Sequence, residues 1–453
     1  MIHVPAHRAL LPSDWAADVT VGIDSSGCIA RIDEGDAGSA AGILVPGMPN
    51  IHSHAFQRAL AGRAERAGSG PDSFQTWRER MYKLSRRVTP ADLEAIATLL
   101  YVEMLEAGYT SVCEFHYLHH GPGGARHADP VAASRALIRA ATAAGIRLTL
   151  LPVLYMHGGF GAQPPEPSQA AFIHTVRDYL ALLDTLRPEE SGTIRIGVAF
   201  HSLRAVAPDA IDDVLAWRAS AAPNCPVHIH VAEQLQEVRD CEAWSGQRPV
   251  EWLLKRDLID KHWCLVHATH MTEDEVRSLA ATGAVVGLCP TTEANLADGL
   301  FPLADFLAAG GRIGIGSDSH VSVSPVEELR WLEYGQRLVH GRRNIAASTT
   351  EPNSGARLFR ATVAGGSQAL GQETGRIVVG HAADLVELDA SHPLLTGADG
   401  DELLDCLVFA GNRPLVTSVL VAGRQVVRDG HHPLASNAAA GFAEVVTRLC
   451  QPG

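Results

Sequence analysis

Two histidines lie one residue apart in the stretch PGMPNIHSHAFQRAL (residues 46–60), directly after an apolar run that contains Pro and Gly. Because residues i and i+2 of a β-strand point to the same side, His52 and His54 can reach one common ligand. Neutral imidazole is a frequent ligand of zinc and of similar divalent cations. The pair alone is weak evidence for a metal, since two polar loop residues give the same pattern.

Two later segments supply further groups of the same chemical kind. The segment VHIHVAEQ contains His228 and His230, and the segment RIGIGSDSH contains Asp318. Catalytic zinc sites combine three or four such side chains and leave a position for water. Zinc lowers the pKa of that water toward neutrality, so that hydroxide becomes available at pH 7. The pattern HxH, then His, then Asp therefore predicts a hydrolytic metal centre.

These residues stand at the ends of apolar, β-branched runs that alternate with segments of helical spacing. Eight runs are predicted to be strands: ILVPGMPNIHSH, TSVCEFHYLHH, RLTLLPVLYMH, TIRIGVAFHSLRAV, CPVHIHVAEQ, HWCLVHATH, AVVGLCPTTEANL and RIGIGSDSH. Eight strand-then-helix units predict an α/β fold, a (β/α)8 barrel of the TIM type. The carboxyl ends of such strands meet at one mouth, where active sites are built. Other titratable residues at these ends should therefore lie near the metal ligands: Glu114, His116, His201, Glu233 and His267.

The two ends of the chain have a different pattern. Residues 1–45 and 375–453 contain short alternating strands with Gly and Asp turns, such as DVTVGIDSSGCIARIDEG and VTSVLVAGRQVVRDG. The segment NAAAGFAEVVTRLC predicts a helix at the C-terminal end. We expect both termini to form one small β-sandwich domain with this helix, and residues 46–374 to form the barrel.

The composition excludes several classes of protein. With 46% hydrophobic and 19% charged residues in 453, the chain is typical of a globular protein. A formal net charge of −14 argues against nucleic acid or anionic membrane as a partner, because both require a basic surface. There is no apolar stretch of membrane-span length and no signal-peptide pattern, so we expect a cytoplasmic protein. The eight cysteines are scattered without a CxxC pair, which predicts no disulfide framework.

The order of the predicted ligands resembles the amidohydrolase superfamily, which is known for a metal-bearing (β/α)8 barrel and a small β-sandwich made by both termini. The resemblance implies that His52, His54, His230 and Asp318 bind the metal. Superfamily members with two ions carry a carboxylated lysine on the fourth strand, where this chain has IGVAFHSLRAV without a lysine. We therefore expect one ion per chain, zinc, with iron(II) as the alternative.

Three residues match the proton carriers of the deaminase branch of that superfamily. Glu233 follows His230 by three residues, as does the glutamate that delivers protons to the departing nitrogen. His267, in CLVHATH, matches the histidine that assists the water, and Asp318 accepts the proton of the water while it holds the metal. The implied reaction class is hydrolytic deamination. In isolation, His267 is also compatible with a histidine of the apolar core.

A narrower resemblance, to the formimidoylglutamate deiminase family, extends over nearly the whole barrel. It is carried by PGMPNIHSHAFQRALAG, TWRERMY, AGYTSVCEFHYLHH, TLLPVLY, FHSLRAV, PVHIHVAEQ, WCLVHATH, TEANLADG and GIGSDSHVS. It implies conversion of N-formimino-L-glutamate and water to N-formyl-L-glutamate and ammonia in histidine degradation, and it assigns substrate binding to Gln57, Tyr117 and His201. Arg78 and Arg204 suit the two carboxylates of that substrate, because guanidinium groups pair with carboxylates through two hydrogen bonds.

Several alternatives stay open in the sequence. A deaminase acting on guanine, cytosine or an adenosine derivative is the alternative activity, and a barrel that serves only as an interaction scaffold is a remote one. We expect a homodimer, as is common among relatives of this fold. Tyr117 is also compatible with a packing role, and these residues have no assigned role: Arg80, Glu114, Glu293, Asp298, His116, His119, His120 and His320.

Overall fold

The computed structural model describes residues 1–35, 42–66 and 73–451 of the chain. Its strands are β1 (Ile2–Leu10), β2 (Trp15–Ile23), β3 (Ile29–Glu34), β4 (Ile43–Pro46), β5 (Met48–Ser53), β6 (Tyr109–His116), β7 (Arg147–Leu154), β8 (Ile194–Ile196), β9 (Val198–Phe200), β10 (Val227–Val231), β11 (Trp263–His267), β12 (Val285–Leu288), β13 (Arg312–Ile315), β14 (Leu385–Leu388), β15 (Val416–Val421) and β16 (Arg424–Arg428).

The α-helices lie mainly in the connections between these strands, outside the barrel wall. They are α1 (Phe74–Ser85), α2 (Pro90–Glu106), α3 (Ala132–Ala144), α4 (Val176–Leu186), α5 (Pro208–Ala221), α6 (Leu235–Ser245), α7 (Pro249–Lys255), α8 (Glu273–Thr282), α9 (Pro290–Leu296), α10 (Leu303–Ala308), α11 (Pro325–His340), α12 (Ser354–Leu370), α13 (Glu402–Phe409) and α14 (Ala435–Cys450). No helix among the described residues is long and apolar enough to cross a membrane.

The predicted barrel is confirmed. Eight parallel strands pair in the order β5, β6, β7, β9, β10, β11, β12 and β13, and β13 pairs back to β5 to close the ring. The short strand β8 pairs with β7 just before β9. Helices cover the outer face, so barrel strands are buried on both sides and their residues are apolar at nearly every position.

Both ends of the chain contribute to a separate seven-stranded sheet. Its strand order is β16, β15, β14, β4, β1, β2 and β3. All neighbours are antiparallel except the pair of β1 and β4. The sheet has its own apolar cluster, which includes Val19, Val21 and Leu385. The predicted β-structure from both termini is thus observed as this sheet.

The first predicted strand, residues 43–54, is divided between the two sheets. Its first part is β4 of the terminal sheet, and its second part is β5 of the barrel. Gly47 lies between them, and a Cβ atom there would lie 2.1 Å from the Thr110 side chain. The chain therefore passes from one sheet to the other where only glycine fits.

A buried ion pair connects the barrel to the terminal sheet. Arg147 is the first residue of β7, so it lies at the amino end of the barrel strands, and Asp384 directly precedes β14. The guanidinium donates to Asp384 through Nε at 2.6 Å and through Nη2 at 3.0 Å. This contact lies at the opposite end of the strands from the predicted site.

Candidate active site

The first ligand pair is held in place by the backbone at the carboxyl ends of β5 and β13. The amide of Asp318 donates to the carbonyl of His52 at 3.0 Å, and the amide of His54 donates to the carbonyl of Asp318 at 3.1 Å. Asp318 has a φ of 46°, which turns the chain sharply after β13. These two hydrogen bonds bring three of the four predicted ligands together.

The ligand atoms of the four predicted residues gather around Nε2 of His52. The Nε2 atom of His52 lies 3.2 Å from Nε2 of His54 and 3.0 Å from Nε2 of His230. Oδ1 of Asp318 lies 3.4 Å from Nε2 of His52 and 3.3 Å from Nε2 of His54. Tetrahedral zinc with bonds of about 2.0–2.1 Å separates its ligand atoms by roughly 3.3 Å. The spacing of His52, His54 and Asp318 fits one such ion, and Nε2 of His230 lies beside the same group through its contact with His52.

The hydrogen bonds of the other ring nitrogens support the same conclusion. Nδ1 of His54 lies 2.9 Å from the carbonyl of Phe115, and Nδ1 of His230 lies 2.9 Å from the carbonyl of His201. A carbonyl only accepts, so each Nδ1 carries the hydrogen and each Nε2 presents a lone pair. Nε2 of His54 and Nε2 of His230 each direct a lone pair toward His52 from within 3.2 Å. These lone pairs repel each other unless a cation lies between them.

Burial keeps these imidazoles neutral, which is the form that binds a metal. The side chains of His52, His54 and His230 are 0%, 4% and 8% exposed. Desolvation is the main cause that lowers the pKa of all three, and neighbouring histidines add to it for His52 and His230. The ligands are therefore deprotonated at neutral pH without help from the metal.

Glu114 and His320 hold the segment that carries the first two ligands. Glu114 accepts hydrogen bonds from the Ser53 hydroxyl at 2.5 Å, from the Ala55 amide at 2.7 Å and from the Tyr101 hydroxyl at 3.2 Å. Burial raises the pKa of Glu114 to about 7. Nε2 of His320 lies 3.1 Å from the same Ser53 hydroxyl. Both residues face the backbone around the ligands and not the centre itself.

His267 lies beside the four ligands at the end of β11. Its Nδ1 lies 3.2 Å from Oε1 of Glu293, and its Nε2 lies 3.7 Å from Oε1 of Glu233 and 3.9 Å from Oδ2 of Asp318. Burial opposes protonation of His267, but the three carboxylates outweigh it and raise its pKa to about 10. A divalent cation at the centre would oppose this shift, because it adds positive charge nearby.

Glu233 and Asp298 are buried carboxyl groups near His267. Burial raises the pKa of Glu233 to about 7, which allows proton exchange near neutral pH. Burial and the Glu233 carboxylate raise the pKa of Asp298 to about 10, so Asp298 is protonated at neutral pH. Oδ1 of Asp298 accepts a hydrogen bond from the Gln234 side chain. Asp298 thus holds the residue that follows Glu233.

The centre lies at the base of a cavity of about 600 Å³ that opens at the barrel mouth. Its inner part is lined by every predicted site residue except His52, which is fully buried beneath the others. These lining residues are His54, Gln57, Arg78, Tyr117, His201, Arg204, His230, Glu233, His267 and Asp318. Residues separated by more than 260 positions in the sequence thus share one cavity wall.

The predicted substrate-binding residues form the side of this cavity opposite Glu233 and His267. Gln57 donates to the Tyr117 hydroxyl at 2.7 Å, which leaves Oε1 of Gln57 without a partner. The ring of His201 lies 5.8 Å from that of Tyr117. Arg204 has a buried Nη1 atom without a hydrogen-bond partner. Neither Arg204 nor Arg78 forms an ion pair within 4.0 Å with a carboxylate in the described part of the chain.

Arg80 faces away from the cavity. Its guanidinium donates to the carbonyl groups of Ala64 and Arg66. It therefore fixes the loop after β5, and its charge is not directed at the substrate-binding side. Sequence reasoning had assigned Arg80 no role.

The extra histidines of the EFHYLHH segment form a buried cluster of their own. His119 lies 5.0 Å from His116 and 4.4 Å from His174, and His120 lies 4.8 Å from His174, measured between ring centroids. Burial lowers the pKa of all four. Nε2 of His119 donates to the carbonyl of Val153 in β7, and Nε2 of His120 donates to the carbonyl of Ile173. The cluster holds the loop after Tyr117 and does not line the cavity.

Three residues of the cavity were not found by sequence reasoning. Tyr82 and Tyr155 line it near Arg204, and Glu237 lines its outer part. The two tyrosines lie in stretches that carry the family resemblance, TWRERMY and TLLPVLY, but sequence reasoning gave them no role. Glu237 gives a weak signal, because it stands in the first turn of α6, four residues after Glu233.

Comparisons with known proteins agree with this geometry. Residues 43–426 match the model of the amidohydrolase family. A formimidoylglutamate deiminase of Pseudomonas aeruginosa is 54% identical over 449 residues, which cover 98% of each chain.

Solved structures agree as well. The crystal structure of an amidohydrolase from Brucella melitensis has a TM-score of 0.93 at 46% identity and covers 100% of both chains. An adenosine deaminase of Xanthomonas campestris, solved with bound zinc, has a TM-score of 0.81 at 23% identity, covers 99% of this chain and 98% of its own, and shows the fold alone. The chain belongs to the amidohydrolase family.

Proposed function

We propose that this protein hydrolyses N-formimino-L-glutamate to N-formyl-L-glutamate and ammonia, as a step of histidine degradation. The observation that carries the proposal is a pair of guanidinium groups, Arg78 and Arg204, that lack an ion-pair partner among the described residues and line the same cavity as the predicted ligands His54, His230 and Asp318. The name of the relative that is 54% identical supports the same substrate.

The two arginines suit the glutamate end of this substrate. The Arg78 guanidinium carbon lies 5.7 Å from the ring centroid of Tyr82, which holds that side chain over the cavity. A buried guanidinium N–H without a partner, as in Arg204, costs free energy until an acceptor binds. Carboxylates are the acceptors that match guanidinium geometry best. A neutral, flat nucleobase would leave both charges unpaired.

The opposite side of the cavity suits hydrolysis of the formimino group. We propose zinc as the bound ion, held by His52, His54, His230 and Asp318. When bound, it supplies a water molecule acidic enough to act as hydroxide near neutral pH. His267 is held through Nδ1 by Glu293, so its Nε2 faces the reacting group. A positive charge on His267 would stabilise the negative charge that develops on the atoms bonded to the attacked carbon.

Glu233 is the residue that we propose moves the proton to nitrogen. Its carboxyl lies 3.7 Å from His267, and its pKa of about 7 allows it to accept and to release a proton at physiological pH. Protonation of the nitrogen converts it into neutral ammonia as the C–N bond breaks. Asp318 accepts the proton that the attacking water loses and lies within 3.9 Å of His267.

The test is ammonia release from N-formimino-L-glutamate by zinc-loaded enzyme, beside guanine, cytosine and adenosine. We expect Arg78→Met and Arg204→Met to lower kcat/KM about 30- to 10³-fold each, mainly through KM, since each removes a charge-assisted contact of roughly 2–4 kcal/mol. Arg80→Met is the matched control and should keep KM within about threefold, because its guanidinium binds backbone carbonyls.

Two results would contradict the proposal. Full activity in both arginine variants would remove the dicarboxylate pocket. Turnover of a nucleobase, with none of N-formimino-L-glutamate, would keep the metal chemistry and favour the alternative activity. The predicted homodimer and cytoplasmic location remain predictions, and light scattering of the purified protein checks the dimer.

A further inference from the structure

We propose that Glu237 is a positioning residue, which holds the turn that carries Glu233 so that the Glu233 carboxyl reaches the departing nitrogen. The proposal rests on the proposed function for the role of Glu233. It extends that function to a residue of α6 that contacts neither the metal ligands nor, as proposed, the substrate carboxylates.

The carboxylate of Glu237 binds two successive backbone amides. Oε1 accepts from the amide of Ala232 at 3.1 Å, and Oε2 accepts from the amide of Glu233 at 3.0 Å. These residues lie between the end of β10 at Val231 and the start of α6 at Leu235. Neither the strand ladder nor the helix supplies acceptors for amides in this connection. The Glu237 side chain therefore supplies the acceptor for both amides.

The turn itself has a conformation that needs such support. Ala232 has a φ of 50°, in the left-handed region that residues with a Cβ rarely adopt. Its carbonyl accepts from the amide of His270 at 3.1 Å, so Ala232 is fixed from two directions. Loss of the Glu237 contacts would allow the turn to relax toward an ordinary conformation, and Glu233 would move with it.

The metal ligand on the same strand is held independently. His230 is fixed by its own hydrogen bond from Nδ1 to the carbonyl of His201. It lies within β10, whose backbone pairs with β9 and β11. A change at Glu237 should therefore displace Glu233 without displacing His230.

Glu237 has no other task among the described residues. It forms no ion pair within 4.0 Å with a described residue, and burial raises the pKa of its carboxyl, with the nearby Arg204 opposing that shift. Its side chain is not bound by another residue of α6. Its two amide contacts are thus the function that the structure assigns to it.

The first experiment compares Glu237→Gln and Glu237→Ala with wild type. Gln keeps one acceptor oxygen and Ala keeps none, so we expect kcat to fall about 10-fold and about 100-fold, within the range for general acid–base catalysis. KM and zinc content should stay unchanged. Glu242→Gln is the matched control on the same helix, because Glu242 has only a 3.7 Å surface contact with Arg248; it should keep wild-type kcat.

A second substrate separates positioning from general damage. The N-hydroxy analogue of the formimino group releases hydroxylamine, which is less basic than ammonia and needs less proton donation on departure. We expect the Glu237 variants to lose several-fold less activity on this analogue than on N-formimino-L-glutamate. Equal losses on both substrates would show a general defect and overturn the proposal, as would a kcat within twofold of wild type in Glu237→Ala.

Amide hydrogen exchange provides a readout that does not depend on activity. Glu237→Ala should exchange faster than wild type at residues 231–235, with no change in the peptides that contain His52 and Asp318. Unchanged exchange at residues 231–235 would overturn the proposal. If wild type releases no ammonia from N-formimino-L-glutamate, the proposed function fails, while exchange in this segment still decides whether Glu237 holds the turn.

Discussion

The buried Arg147–Asp384 pair at the amino end of the barrel and the buried polar groups at its mouth differ in whether they have partners within the chain. At the amino end, Arg147 donates to both oxygens of Asp384 and to the carbonyl of Gly192, and Asp384 also accepts from the Thr374 hydroxyl. Both members of the pair are nearly fully buried. Every hydrogen-bonding group of the Asp384 carboxylate has a partner within the chain.

At the carboxyl end, several polar groups have no partner in the described part of the chain. They include Nδ1 of His52, Oε1 of Gln57 and Nη1 of Arg204. Unpaired buried polar groups reduce stability unless a ligand pairs with them. The Arg147–Asp384 pair thus stabilises the fold, whereas the unpaired groups at the mouth retain binding capacity at the expense of stability, although buried polar groups near the amino end, such as Thr110 and Ser111, are unpaired as well.

The largest expected effect is at the metal centre. His230→Ala should lower kcat about 10⁴-fold or more, since one of four ligands is lost and the nucleophile depends on the ion. Zinc content, measured by mass spectrometry of dialysed protein, should fall in parallel. Thermal unfolding of the metal-free forms should differ only modestly, because the variant loses a single hydrogen bond, from Nδ1 of His230 to the carbonyl of His201. A metal-free variant that unfolds far below metal-free wild type would contradict the comparison.

At the amino end, the expected effect is on stability instead. Asp384→Asn breaks a buried ion pair, so the free energy of unfolding should fall by about 3–5 kcal/mol, while kcat of the folded fraction stays unchanged. Glu94→Gln, which breaks the exposed pair with Arg139, is the matched control and should cost less than about 1 kcal/mol. Urea unfolding measures both. Similar losses in the two variants would show that burial is not what distinguishes the Asp384 pair.

The smallest expected effect is at Glu114, the buried carboxyl beside the ligand segment. Glu114→Gln should cost about 1 kcal/mol at pH 5, because the amide cannot accept all three hydrogen bonds. Burial raises the pKa of Glu114 to about 7 from 4.5, so the folded state binds its proton more tightly. The stabilisation that Glu114 contributes to the wild-type protein is therefore complete below about pH 4.5 and is lost as the pH rises through 7.

The glutamine variant lacks this titration, so the stability difference between the two proteins should shrink from pH 5 to pH 8. Urea unfolding of the metal-free proteins at both pH values measures it. A difference that is the same at pH 5 and pH 8 would show that Glu114 has an ordinary pKa.

The sequence by itself determined the barrel and the set of residues that meet at its mouth. Parallel strands place their carboxyl ends together, so histidines and carboxylates at the ends of the apolar runs come near one another, although His116 at the end of β6 lies in a separate histidine cluster and does not line the cavity. This rule predicted that His52, His230 and Asp318 come together across more than 260 residues of sequence. This prediction required only the pattern of apolar residues in each strand and the order of the strands along the chain.

Only the tertiary structure decided the partners of the remaining polar groups. Arg80 binds the carbonyls of Ala64 and Arg66, Glu293 binds His267, and Glu237 binds two amides before α6. These contacts depend on which way a backbone N–H or C=O points in a loop, and on turns such as the one at Ala232. No periodic pattern encodes those directions, because they are set by the elements that pack around the loop.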